Sequence, residues 1–131
     1  AKVEDALDLE RLAVGDSLHM HLRTELEANN VLYASHAKCI YDFNRESSVH
    51  SKIKNAPNTS KARYITEDVP YLFVPFCELA DLCGVDVPIA KALVTIASYY
   101  NDENYMKTGR TLAKMGFNHW TKQEILEFLE A

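Results

Sequence analysis

Apolar residues recur in this chain at helical spacing and sustain strand-like alternation nowhere. From Asp68 to Cys83, residues Val69, Leu72, Phe73, Phe76, Leu79, Ala80 and Cys83 form one stripe of a predicted α-helix. Gly84 predicts its end, because glycine takes up left-handed backbone without a Cβ clash. Asp86 then predicts an N-cap, with Pro88 in the first turn of a helix striped by Ile89, Ala92, Leu93, Ile96, Ala97 and Tyr100. So short a connection predicts antiparallel neighbours. The run Thr121-Lys-Gln-Glu124 is a capping box ahead of Ile125, Leu126, Phe128 and Leu129, and predicts a final short helix. Other helices are predicted over Gly109–Met115, ended by Gly116, and over Leu32–Phe43. A long one carries Val3, Leu7, Val14, Leu18, Leu22 and Leu26, with Gly15 as its weak point. The fold class read from this is all-α, one helical domain over residues 1–131.

Only the stretch from Asn44 to Ala62 breaks the pattern. It is rich in Ser and Asn, holds Pro57, and reads as a long surface loop. The chain's 131 residues suffice for one core without disulfide staples. Its net charge of −5 argues against binding nucleic-acid backbone or an anionic membrane. No apolar run reaches the roughly 20 residues of a membrane span. No signal peptide opens the sequence, and its first residue is Ala rather than Met, so the start is read as processed or cut and the location as cytoplasmic.

The four glycines, Gly15, Gly84, Gly109 and Gly116, are too scattered for a G-x-G-x-x-G turn or a P-loop, so no phosphate cradle is expected here. Three cysteines, Cys39, Cys77 and Cys83, without a C-x-x-C, read as buried thiols of a reducing compartment. His19, His21, His36, His50 and His119 lack metal-ligand spacing, so no metal site is expected.

Chemistry is best sought in the run from Arg63 to Pro70. A guanidinium at Arg63 suits a substrate carboxylate, which it can grip through two parallel hydrogen bonds. A carboxylate at Asp68 can orient a histidine and stabilise its protonated form. The plainer alternative is that Asp68 or Thr66 caps a helix while Arg63 makes a surface ion pair. Arg45, Lys52, Lys54, Lys61 and Arg63 form a local positive group that either steers an anion or solvates the loop. Tyr64, Tyr71 and Tyr105 either place hydroxyls in a pocket or belong to the core.

The run Arg63-Tyr-Ile-Thr-Glu-Asp-Val-Pro-Tyr-Leu-Phe-Val-Pro75 is followed by Glu78-Leu79, Gly84-Val-Asp-Val-Pro88, Gly109-Arg-Thr-Leu112 and Met115-Gly-Phe117. Together with Ala6-Leu-Asp-Leu-Glu-Arg-Leu-Ala-Val14, it resembles the C-terminal helical domain of the octopine/nopaline (opine) dehydrogenase family, an architecture shared with 6-phosphogluconate-type dehydrogenases. The resemblance implies a two-domain enzyme whose N-terminal Rossmann domain binds NAD or NADP and whose helical domain completes the cleft. The implied reaction condenses an α-keto acid with an amino acid or amine and reduces the imine by hydride. It further implies a histidine acid–base paired with an aspartate, and an arginine on substrate carboxylate. By motif position Asp68 matches the aspartate and Arg63 the arginine, with Tyr64 and Tyr71 beside them as substrate-binding residues.

The family's histidine lies in an Asn-x-x-x-His motif that this chain lacks, so none of the five histidines takes its role. The chain alone is expected to reduce nothing, and a homodimer is compatible with its wide stripes. Two alternatives stand beside this. One is a related 2-hydroxy-acid dehydrogenase with an active-site lysine, for which Lys91 and Lys107 carry no signature. The other is a non-catalytic helical dimerisation or interaction module. Arg63 and Asp68 lining one cleft would favour the enzyme; opposite directions would favour the module.

Overall fold

The computed structural model describes residues 2–52 and 56–130, and no strand occurs among them. The helices are α1 (Lys2–Ser17), α2 (Glu25–Leu32), α3 (Ile40–Glu46), α4 (Arg63–Thr66), α5 (Val74–Cys83), α6 (Pro88–Asn101), α7 (Tyr105–Thr108) and α8 (Lys122–Glu130). A 3₁₀ turn covers His50–Lys52, and a π turn over Val69–Phe73 leads into α5. The all-α expectation holds.

The first predicted helix is really two. The chain leaves α1 after Ser17, and His19 turns it through φ 58°. Leu22 then folds back against Gly15, where a Cβ would sit 2.5 Å from Leu22 Cδ1. Gly15 thus stays helical and gives the returning chain room. Helix α2 begins afresh from a capping box: Glu27 N donates to Thr24 Oγ1 (3.1 Å), and Thr24 N to Glu27 Oε2 (2.9 Å).

The predicted helix over Leu32–Phe43 is likewise interrupted. Asn30 Oδ1 accepts from Ser35 Oγ (2.6 Å) and Ala37 N (3.0 Å), while its Nδ2 donates to Ala37 O (2.9 Å). One side chain therefore satisfies backbone that a helix would otherwise engage. Helix α3 starts only at Ile40, capped by Cys39 Sγ, and runs into what was expected to be loop. Cys39 is exposed, against the expectation of a buried thiol; Cys77 is fully buried and Cys83 partly so. Lys54 and Asn55 of the polar stretch, and the side chain of His50, lie outside the described residues.

The core gathers Val14 and Leu18 from the first segment, Val69, Val74, Cys77 and Ala80 from the π turn and α5, and Val87, Ala90, Val94 and Ala97 from the start of α6 onward. Helix α6 is rotated about one residue from the expected stripe. Ala90, Val94, Ala97 and Asn101 face inward, while Ile96 and Tyr100 are exposed. Both faces of this helix are apolar. The inner one carries small residues, which let α6 lie close against α1 and the π turn.

Gly84 ends α5 at φ 71°, as predicted. Asp86 does not cap α6. Val87 holds that position without a side-chain bond, and the cap comes from Glu10 of α1. Gly109–Met115 is a series of turns rather than a helix. Lys114 Nζ there donates to the carbonyls of Lys107, Thr108 and Gly109, closing the end of α7. Thr121 and Glu124 form the expected box at α8, whose Phe128 joins Phe117 and Trp120 in edge-to-face packing.

Candidate functional site

The segment from Arg63 to Phe76 follows a nearly continuous helical path whose irregularity has a cause in the sequence. Pro70 and Pro75 stand five apart. In an α-helix the Pro75 ring would press on the carbonyl of Tyr71, four residues back, and offer it no N–H. Widening to a π turn relieves this: Val74 N donates to Val69 O, five residues back. The Pro70 carbonyl is thereby released. Val74 N is engaged elsewhere, and Pro75 has no N–H to give. The Arg110 amide fills the place, 2.8 Å from Pro70 O. Gly109 makes the approach feasible, since a Cβ there would lie 2.6 Å from Tyr105 O and 2.8 Å from Pro70 O.

Asp68 sits at the head of this turn, half-buried, in helical backbone (φ −66°, ψ −40°) and without a side-chain cap bond. The expectation that it begins a helix is corrected: α4 precedes it, so no N-terminal dipole and no capping role are assigned to it. Ile65, three residues earlier, packs against the core, so Asp68 shares that inward flank.

Arg63 does not meet Asp68. Its Nη2 and Nε lie 3.0 and 3.1 Å from one oxygen, Glu67 Oε2, four residues on. The hydrogen bond and charge of Glu67 raise the guanidinium's pKa further. The Arg63 side chain is 80% exposed, so this is a solvated i,i+4 pair with little effect on stability. Tyr64 and Tyr71 are exposed. Tyr105 instead belongs to the core, its hydroxyl 2.9 Å from Asn101 Nδ2.

Beside the π turn runs an open groove of about 750 Å³. Leu7, Leu22, Ala28, Leu72, Phe73 and Phe76 form its apolar lining, and charged side chains of α1 and the Arg23–Glu25 segment form its rim. The rim is built, not incidental. Asp8 Oδ1 accepts from Arg11 Nη2 (2.6 Å) and Nε (2.9 Å), Asp8 Oδ2 accepts from Glu25 N (2.8 Å), and Arg11 Nη2 also donates to Arg23 O (2.6 Å). Burial, then the charges of Glu4 and Asp8, push the Glu25 carboxyl above its ordinary range. Sequence reasoning missed this groove, whose sides come from segments some fifty residues apart. It also missed Glu67 as the partner of Arg63, although the i,i+4 spacing was the signal. Arg63, Tyr64, Asp68 and Tyr71 are not among the groove's lining residues. Among the described residues no cluster of His, Cys, Asp and Glu can hold a metal, and no helix is long and apolar enough to cross a membrane.

The chain is thus an all-helical unit with an apolar groove beside its π turn, and Arg63 and Asp68 neither meet nor line that groove. Sequence comparison assigns it to a family. The family described as NAD/NADP octopine/nopaline dehydrogenase, alpha-helical domain, matches residues 1–101 of the 131. The chain belongs to this family. It is 34% identical over 110 residues to Protein ocs of Agrobacterium vitis, covering 84% of this chain and 30% of that protein. It is 29% identical over 123 residues to vitopine synthase of Allorhizobium ampelinum (94% and 34%). With the opine dehydrogenase of an Arthrobacter species it shares 27% over 126 residues (96% and 35%). The chain therefore spans about a third of the length of these relatives.

Proposed function

We propose that residues 1–131 are the substrate-side helical domain of a two-domain opine dehydrogenase whose other half is a Rossmann domain holding NAD or NADP. The enzyme condenses an α-keto acid with the amino group of an amino acid or amine, and hydride reduces the imine to a secondary amine. The family membership over residues 1–101 carries this reading.

Within it, Asp68 is the carboxylate that orients a histidine supplied from outside this chain and stabilises its imidazolium. Its half-buried place on the inward flank supports that role, because a carboxylate shielded from water couples more strongly to a partner. Arg63 receives the keto-acid carboxylate by exchanging Glu67 for it. Both of Arg63's contacts fall on one Glu67 oxygen at the surface, so the exchange costs little. Tyr64 and Tyr71 flank the incoming substrate with exposed rings.

The test is NADH and NADPH oxidation by the two-domain enzyme with a panel of α-keto acids, each with and without amino acids, beside Asp68→Asn. Oxidation requiring both substrates and collapsing in the variant is expected. Oxidation by keto acid alone would replace the reading with a 2-hydroxy-acid dehydrogenase.

A further inference from the structure

The π turn does more than accommodate Pro75. A π turn carries one residue more than an α turn, so everything upstream is rotated by roughly 100° relative to an uninterrupted helix. Asp68 therefore takes the azimuth that α5, extended backward without a break, would give to position 69. That azimuth belongs with residues 73, 76 and 80 of the same helical path. Phe73 and Phe76 line the groove. Asp68 does not itself line the groove but lies on the same helix face, and without the π turn it would stand roughly a quarter-turn from that face.

Two observations indicate that the wide turn is held, not merely tolerated. Its exposed acceptor, Pro70 O, is taken by the Arg110 amide at 2.8 Å, a contact made across forty residues of sequence. Gly109 is buried where any Cβ would strike two backbone oxygens and come within 3.0 Å of Val74 Cγ2. That glycine lets the 109–110 backbone lie directly on the turn.

We propose that the Val69–Phe73 π turn, imposed by Pro75 and locked by the Arg110 amide over Gly109, sets Asp68 on the groove side, making Pro75 and Gly109 positioning residues for it. The proposal rests on the role given to Asp68 above. Pro75→Ala removes the ring clash and restores an N–H for Tyr71 O, so the segment relaxes to α-helix and Asp68 turns away.

In the two-domain enzyme, Pro75→Ala is expected to lower kcat about as far as Asp68→Asn does, since a quarter-turn moves the carboxylate by more than the one ångström that already costs about a hundredfold. Its pH–rate profile should move to lower pH together with that of Asp68→Asn, since both remove the carboxylate's support for the imidazolium. Thermal unfolding should come somewhat earlier, since the same rotation draws Val69 from the core, and the pH profile is what separates misplacement from this loss of stability. Gly109→Ala should speed hydrogen exchange at the Arg110 amide and shift the profile the same way; should it fail to fold, Pro75→Ala decides alone. A Pro75→Ala enzyme with unaltered kcat and pH profile, beside an impaired Asp68→Asn, overturns the positioning role and leaves the reading of Asp68 intact. An unimpaired Asp68→Asn overturns both.

Discussion

The Glu10 carboxylate of α1 lies 2.7 Å from the backbone nitrogen of Ile89, a residue 79 positions later. Its second oxygen takes the Ala90 N–H at 3.0 Å. Pro88, Ile89 and Ala90 are the first three residues of α6. Pro88 has no N–H, and the next two donors are those an N-cap side chain normally serves. Val87 has nothing to offer them, so a remote carboxylate does the capping and ties α1 to α6 while the negative charge meets the helix's positive end.

Removing that carboxylate should therefore cost more than an ordinary cap. Glu10→Ala leaves two inward N–H groups without partners and is expected to lower unfolding free energy by about 2–4 kcal/mol. Glu10→Gln, which keeps one acceptor, should lose roughly half of that. Urea unfolding of the three proteins checks both, with an unchanged midpoint in Glu10→Ala the contrary result.

In the two-domain enzyme proposed above, the Arg63–Glu67 pair predicts opposite effects for its two members. Arg63→Lys loses the planar fork and should raise the KM for the keto acid about tenfold with kcat little changed. Glu67→Gln removes the competitor for the guanidinium and should lower that KM. Melting temperature should scarcely move in either variant, because the pair is solvated. A KM that ignores both substitutions removes Arg63 from the site.

Burial pushes the Cys77 thiol up to about 11. Its pKa is higher folded than unfolded, so the folded form keeps a proton that the unfolded chain releases. The contribution is complete below the unfolded value near 9 and is lost as pH rises toward 11. Cys77→Ala should flatten the fall in stability across that window. With an aromatic disulfide reagent at neutral pH, exposed Cys39 should react at once and Cys77 only on unfolding.

At Gly84 the backbone has φ 71°, which side chains with a Cβ adopt at a cost of about 1–2 kcal/mol. No atom lies within 4 Å of the place a Cβ would take, so the cost is conformational and not steric. Gly84→Ala is expected to lower stability by about 1 kcal/mol and Gly84→Asn by less, since Asn tolerates this region. Equal stability of all three would show that the chain can end α5 in another way.

Features written in neighbouring residues were legible before the structure. Gly84 and the Thr121–Glu124 box are of this kind, as each depends on contacts within one or two turns. The stripe before Gly84 was legible only in part: Val69 and Ala80 are buried, but Leu72 is exposed and Val74 and Cys77 fill the core in its place. What was not legible depends on which element arrives opposite. Helix α6 offers two apolar faces, and hydrophobicity alone favoured the one with Ile96 and Tyr100. Packing selected Ala90, Val94 and Ala97 because small residues admit α1 and the π turn closely. Glu10 gave no local hint of capping a helix 79 residues away. Asn30 interrupts a helical pattern through bonds to residues 35 and 37 that amphipathicity does not encode. Arg63 and Asp68 were identified as candidates, but their five-residue spacing does not bring them together. The proline pair at 70 and 75, visible from the start, was the overlooked sign of a π turn between them.

That turn also gives the segment an unusual tolerance for gene length. A π turn is the trace of a single extra residue in an α-helix. Losing one codon of the turn would leave Asp68 at the azimuth it already has, on a helix kinked at Pro75 instead of widened before it. Pro75→Ala, which keeps the extra residue, would turn Asp68 away. Substitution and deletion should therefore part company here, and a deletion scan would find tolerance where a scan of side chains finds loss.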